Sequence, residues 1–152
     1  MTLLIRLPFT IHHSLFTRFD MAQTFKFELV SPERLLVSEE VEAVVIPGTE
    51  GELTVMANHA PLMTTIKPGV VRVQFGGGRE DRYVVFGGFA DVVPEGCTLL
   101  AESAIAVADV DKDDISRRIQ EAREDLDDAK DDDQRSKAEQ LIAQLATLQD
   151  AV

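Results

Sequence analysis

The chain changes character once, near residue 108, and that change restricts what it can fold into more than any other feature. All nine glycines lie at or before Gly96, all six prolines at or before Pro94, and all nine aromatic residues at or before Phe89. Glycine and proline punctuate turns, and aromatic side chains favour strands. Their joint disappearance predicts turn-separated strands followed by helix. A length of 152 residues suits one domain of ordinary size with an appendage.

The first part reads as short strands at regular spacing. Phe25, Phe27 and Leu29 alternate with Lys26, Glu28 and Val30, and Pro32 closes that strand. Val41–Ile46 is the next, ended by Pro47-Gly48, followed by Leu53–Met56, Leu62–Ile66 and Val70–Phe75. Gly76-Gly77-Gly78 is a hairpin turn before Arg82–Phe86. Phe89–Val93 and Thr98–Ala101 complete the set around Pro94-Glu95-Gly96. Eight to ten such strands, with no helix long enough for a parallel crossover, predict a mostly antiparallel β-sandwich over residues 21–108. Glu39, Glu40 and Glu42 read as a solvated edge that discourages further pairing. Gly87-Gly88, inside an apolar pattern, reads as a bulge or a close backbone approach.

From 109 to 152 the period is helical. Ile115, Ile119, Ala122, Leu126 and Ala129 recur every three or four residues, as do Ala138, Leu141, Ile142, Leu145 and Leu148. Asp111, Asp113 and Asp114 favour the positive end of the first helix. Asp131-Asp132-Asp133 breaks the pattern, so two helices should form an antiparallel hairpin. Each apolar stripe is narrow, and two helices alone bury too little to offset their ordering entropy. The hairpin therefore needs the sandwich or a partner to lie on.

Charge and composition exclude several functions. The formal net charge is -12, which argues against nucleic acid and fits a solvated surface or a basic protein partner. No run of 18 apolar residues exists to span a bilayer. The single cysteine, Cys97, makes no internal disulfide and lies in an apolar run that suits a small buried hydrophobe. Residues 1–20 are basic and poor in acids, with Arg6 and Arg18 and no acid before Asp20. They read as an over-long start preceding Met21, the alternative being a targeting segment. His12 and His13 have no further ligands in sequence that would make a metal site.

No catalytic constellation emerges. Gly76-Gly77-Gly78 lacks the Lys and Ser/Thr of a phosphate loop. The acidic run Asp125, Asp127, Asp128, Asp131, Asp132, Asp133 lacks the alternation and central glycine of a calcium loop, and reads as a solvated face. The segment from Pro47 to Leu62 stands out, with Glu52 and His59 held between turns. On chemistry alone His59 is a turn residue bonded to backbone.

That segment resembles the hallmark of the epsilon subunit of F-type rotary ATP synthases (delta in mitochondrial naming). The resemblance runs from about Phe25 to the C-terminus. It is carried by Leu29-Val30-Ser31-Pro32-Glu33, Gly51-Glu52-Leu53-Thr54, Asn58-His59-Ala60-Pro61-Leu62, Lys67-Pro68-Gly69 and Gly87-Gly88-Phe89-Ala90-Asp91-Val92. It implies a non-catalytic rotor subunit of the central stalk, with no cofactor of its own, that couples proton-driven ring rotation to ATP synthesis on the beta subunits. The sandwich would clamp the gamma subunit and rest on the membrane ring of c subunits, below the alpha/beta head. Glu52 and His59, with Ala60 and Pro61, would face these partners. The expected place is peripheral, on the cytoplasmic side of a bacterial inner membrane, or in the mitochondrial matrix if residues 1–20 are a targeting segment.

Two departures qualify the resemblance. Some relatives bind ATP through Ile/Leu-Asp-x-x-Arg-Ala, whereas this chain has Val110-Asp111-Lys112-Asp113-Asp114-Ile115. A carboxylate in place of the arginine repels phosphate, so no useful ATP affinity is expected. In some relatives basic tail helices extend and block rotation. Here residues 111–152 carry 7 basic and 13 acidic residues, and Gln140–Val152 has no Lys or Arg, so inhibition should be weak or absent. The competing reading is a stand-alone β-sandwich binding module with a helical dimerisation tail.

Overall fold

The computed structural model describes residues 23–152. The readings made above for residues 1–20, including His12 and His13, lie outside them.

Ten strands precede two helices. They are β1 (Phe25–Val30), β2 (Leu35–Val41), β3 (Ala43–Gly48), β4 (Gly51–Met56), β5 (Leu62–Ile66), β6 (Gly69–Gln74), β7 (Glu80–Val85), β8 (Gly88–Val93), β9 (Gly96–Ala101) and β10 (Ala104–Ala106). Pairing arranges them as two five-stranded layers, β4-β3-β6-β7-β10 and β5-β8-β9-β1-β2, joined by the single pair Gly48–Ile66. Every pairing is antiparallel except β1 with β9, which run parallel from Lys26–Gly96 to Val30–Leu100.

Alternation places the core between the layers. Phe27, Leu29, Ile46, Val71, Val73 and Leu99 are fully buried there. Each such side chain contributes about 1.5–3 kcal/mol. Cys97 is part of the same cluster, 2% exposed, as a small buried hydrophobe. Gly88 has φ +127°, and a Cβ there would lie 2.0 Å from the Leu100 carbonyl oxygen, which is the close backbone approach expected of this glycine pair.

Two strands were not foreseen. Val41–Ile46 is not one strand: Val41 ends β2, and β3 starts at Ala43 and continues through Pro47 and Gly48. Leu35–Val41 lacks clean alternation because a bulge shifts its register beside Leu29 and Val30. β10 has only three residues, too few to show a period. Glu39 and Glu40 are exposed on β2, an edge strand, as expected of a solvated edge. By register Glu39 belongs to the inward side, and it meets Arg79 at 3.1 Å on the rim, a charge that blunts edge pairing.

The helices are α1 (Lys112–Asp127) and α2 (Asp132–Ala151). Asp111 caps α1 by accepting from the Asp113 N–H at 2.9 Å, and Asp131 caps α2 by accepting from Gln134 N–H at 2.8 Å. α1 stops before Ala129, so that residue falls in the connection and outside the helical stripe. The hairpin lies on the sandwich. Ile115, Ile119, Leu145 and Leu148 form a second core with Val84, flanked by Val70, Phe86 and Ile105. Those sandwich residues belong to β6, β7, β10 and the turn after β7, so the hairpin covers the outer face of the β4-β3-β6-β7-β10 layer. The Arg118 guanidinium stacks 3.9 Å over Phe86 and pairs with Asp114 at 3.3 Å.

Candidate functional site

The loop between β4 and β5 is built on a tight turn. The His59 N–H donates to the Met56 carbonyl at 3.3 Å, and Asn58 takes φ +62°. Asparagine tolerates that left-handed conformation better than most residues. The Asn58 N–H donates to the Pro94 carbonyl at 3.2 Å, which ties the loop to the β8–β9 turn. His59 Nδ1 lies 2.8 Å from the Ala60 carbonyl oxygen. A carbonyl only accepts, so Nδ1 is the donor of this bond, and Nε2 is the ring nitrogen left to meet a partner. Ala60 and Pro61 are exposed beside it. The backbone-bonded reading of His59 therefore holds, and the ring still has one nitrogen to offer.

Glu52 is not part of that loop. It is the second residue of β4, opposite Pro47, while His59 follows the far end of the strand. At least about 13 Å of strand separates them. Glu52 is exposed and pairs with Arg72 at 3.6 Å. Both borders a groove of about 340 Å³ that also takes in Lys67, Arg82, Thr147 and Ala151 from the end of α2. The four candidates thus divide into a loop of three, His59, Ala60 and Pro61, and a separate carboxylate, Glu52.

The structure adds apolar residues that sequence reasoning assigned to strands without a surface role. Met56 and Met63 are 57% and 68% exposed on either side of the His59 loop, with Leu62 between them in part. Phe89, Val93, Leu100 and Leu35 are exposed on the outer face of the β5-β8-β9-β1-β2 layer. Their signal in the sequence is parity: Phe89 and Val93 alternate with the buried Ala90 and Val92, and Leu100 with Leu99. Apolar residues on both parities of β8 and β9 mark a strand that is covered on both faces. One cover is the sandwich core. The hairpin lies on the other layer, so among the described residues nothing covers this second face.

The remaining candidates behave as solvated or structural groups. Burial, with Asp91 nearby, pushes the Cys97 thiol up to about 12, so it is not a thiolate nucleophile. Hydrogen bonds from Arg117 and Arg118 hold the Asp114 carboxyl below its ordinary value. Among the described residues no three His, Cys, Asp or Glu side chains are arranged to hold a metal ion, and no helix is long and apolar enough to cross a membrane.

Comparison with known proteins agrees with this arrangement. The family model described as "ATP synthase, Delta/Epsilon chain, beta-sandwich domain" matches residues 24–107. The chain is 74% identical to the ATP synthase epsilon chain of Mesorhizobium japonicum over 132 residues, covering 87% of this chain and 98% of that one. It is 61% identical to the ATP synthase epsilon chain of Chelativorans sp., with the same coverage. Among solved structures it resembles a chain of the Euglena gracilis mitochondrial ATP synthase OSCP/F1/c-ring assembly, with a TM-score of 0.67 and 27% identity over 84% of this chain and 81% of that one. A chain of the Tetrahymena thermophila mitochondrial ATP synthase central stalk and c-ring shares the fold at TM-score 0.61 and 12% identity, over 82% and 96% of the two chains.

Proposed function

The chain belongs to the delta/epsilon family of ATP synthase subunits, and from that premise we propose that the outer faces of its sandwich divide the tasks of a stalk subunit. It is a non-catalytic central-stalk subunit of the F-type ATP synthase, in which rotation is coupled to ATP synthesis at sites on other subunits. It works in a membrane-associated complex.

One observation carries it. The hairpin covers one layer, and the opposite layer leaves Phe89, Leu100, Val93 and Leu35 exposed. On this reading that bare face clamps the gamma subunit. The His59-Ala60-Pro61 loop, flanked by Met56 and Met63, rests on the polar loops of the c-subunit ring. Glu52 contributes on the neighbouring layer, and the alpha/beta head lies beyond gamma. The working division of the chain is a sandwich of residues 21–108 and a hairpin of residues 109–152. The assembly would sit peripherally on the cytoplasmic face of a bacterial inner membrane. Torque transfer needs rigid packing on both surfaces and no reactive group on this chain.

Substitution of Phe89 and Leu100 together by serine tests the assignment. The double variant should keep its fold, since both side chains are exposed, and lose about tenfold or more in affinity for purified gamma. Affinity equal to the unaltered protein would exclude this face as the clamp. On the loop, His59→Ala with Pro61→Ala should lower ATP-driven proton pumping of the reconstituted enzyme more than its ATP hydrolysis. An equal fall in both activities would count against a ring contact.

A further inference from the structure

The bare face is not uniformly apolar, and strand register writes it out in rows. Phe89, Leu100 and Val30 lie side by side on β8, β9 and β1, with Leu35 at the edge. Two residues along, the row is Met63, Asp91, Thr98 and Glu28. Val93 follows on β8 and Lys26 on β1. Two carboxylates, Asp91 and Glu28, therefore stand in the middle row of a face that also carries Thr98, Ser38, Lys26 and Glu40 beside its apolar side chains. Asp91 stands on β8 between the exposed side chains of Phe89 and Val93. Among the described residues neither Asp91 nor Glu28 has an ion-pair partner within 4 Å. Among the described residues Glu28 accepts from the Ser38 hydroxyl, at 3.4 Å.

In the free chain these carboxylates are solvated. Once a partner covers Phe89, Leu100 and Val93, that solvation is lost. A charge buried without a partner is strongly unfavourable. The face is consistent as an interface only if the partner brings the opposite charge. The chain's formal charge of -12 gives the same sign preference at long range. Asp91 and Glu28 are two strands apart, roughly 10 Å, too far for one guanidinium to bridge, with Thr98 between them.

We propose that the partner element seated on this face presents a basic side chain, flanked by apolar ones, to Asp91 and the Thr98 hydroxyl, with a second cation at Glu28. The proposal rests on the reading of this face as the stalk-partner interface, and it supplies the polar register that apolar contacts leave free to slide. Asp91 is a specificity-determining residue on this account: it rejects a partner surface that is apolar throughout.

The test measures affinity for purified gamma across about 50–300 mM salt. Asp91→Asn should weaken binding about tenfold and flatten the salt dependence, and Glu28→Gln should do the same to a smaller degree. Asp91→Lys should weaken it more than Asp91→Asn. Urea midpoints of the free variants, expected to match the unaltered chain, separate binding from folding. If Asp91→Asn and Glu28→Gln bind as before with unchanged salt dependence, while the Phe89 and Leu100 double variant loses affinity, the basic contact is wrong and the face assignment stands. If the double variant also binds normally, both fall.

Discussion

Gly88 has left-handed backbone geometry, and its α-carbon faces the Leu100 carbonyl. Gly88→Ala combines a disfavoured φ with a contact no real Cβ sustains, so it should destabilise the sandwich by more than about 2 kcal/mol, read as a shift in urea midpoint. Cys97 gives a pH prediction. In the unfolded chain its thiol ionises near 9.0; in the fold it holds its proton to about 12. Its contribution is fully present below the unfolded value and is lost as pH rises through that window, because the unfolded chain then binds fewer protons. Cys97→Ala should remove that part of the alkaline loss, measured by urea titration at several pH values. Below it the thiol should resist alkylating reagents until the chain unfolds. At this scale the sequence was informative where chemistry is local. The turn residues around His59 and the apolar run around Cys97 showed their roles. Met56, Met63 and Phe89 did not, because a strand's apolar residue declares its parity and not which molecule covers it.

Among the elements, the hairpin was legible because its period and its caps agree. Asp131→Ala removes the oxygen that accepts from Gln134 and should cost about 1 kcal/mol, visible as faster amide exchange in the first turn of α2. Arg118→Ala removes both the stack on Phe86 and the Asp114 pair. It should loosen α1 from the β7–β8 turn more than Arg117→Ala does, read by hydrogen exchange across residues 112–127. β2 was hidden for a physical reason. Its bulge breaks the alternation and its outer half is acidic, so local pattern could not separate it from a loop; the parallel and antiparallel neighbours that hold β1 supplied the rest. β10 is fixed by its pairing with β7 and by the apolar contact of Ile105 with the hairpin.

For the whole molecule, the separation into two apolar clusters decides what the tail does. The sandwich core contains no helix residue, so deleting residues 110–152 should leave the sandwich folded while uncovering Val70, Val84 and Ile105. The tail's acidic balance and its docked pose favour a support over a brake. The same deletion should leave ATPase activity of the complex nearly unchanged, and a large activation would overturn that reading. Asp114 stands where the ATP-binding pattern of some relatives has an arginine, and its carboxylate is engaged by Arg117 and Arg118. Isothermal titration should show no ATP binding at cellular concentrations. The two-part layout was legible from the disappearance of glycine, proline and aromatics. Which face the hairpin would cover was not, because both layers carry apolar residues outward.

The lone parallel pairing sets an order of assembly. β1 lies between β2 and β9, and its partner residues 96–100 follow it by about seventy positions. During synthesis the first strand can only form a ribbon with β2, a marginal structure in water. The layer closes when β9 leaves the ribosome, and only then can Phe27 and Leu29 be flanked by Cys97 and Leu99 on the neighbouring strand. Folding is therefore governed by a late, long-range event, and the sandwich should fold slowly for its size. A released chain that ends before residue 96 should remain open to protease along its first two strands, and one that extends past Ala101 should not.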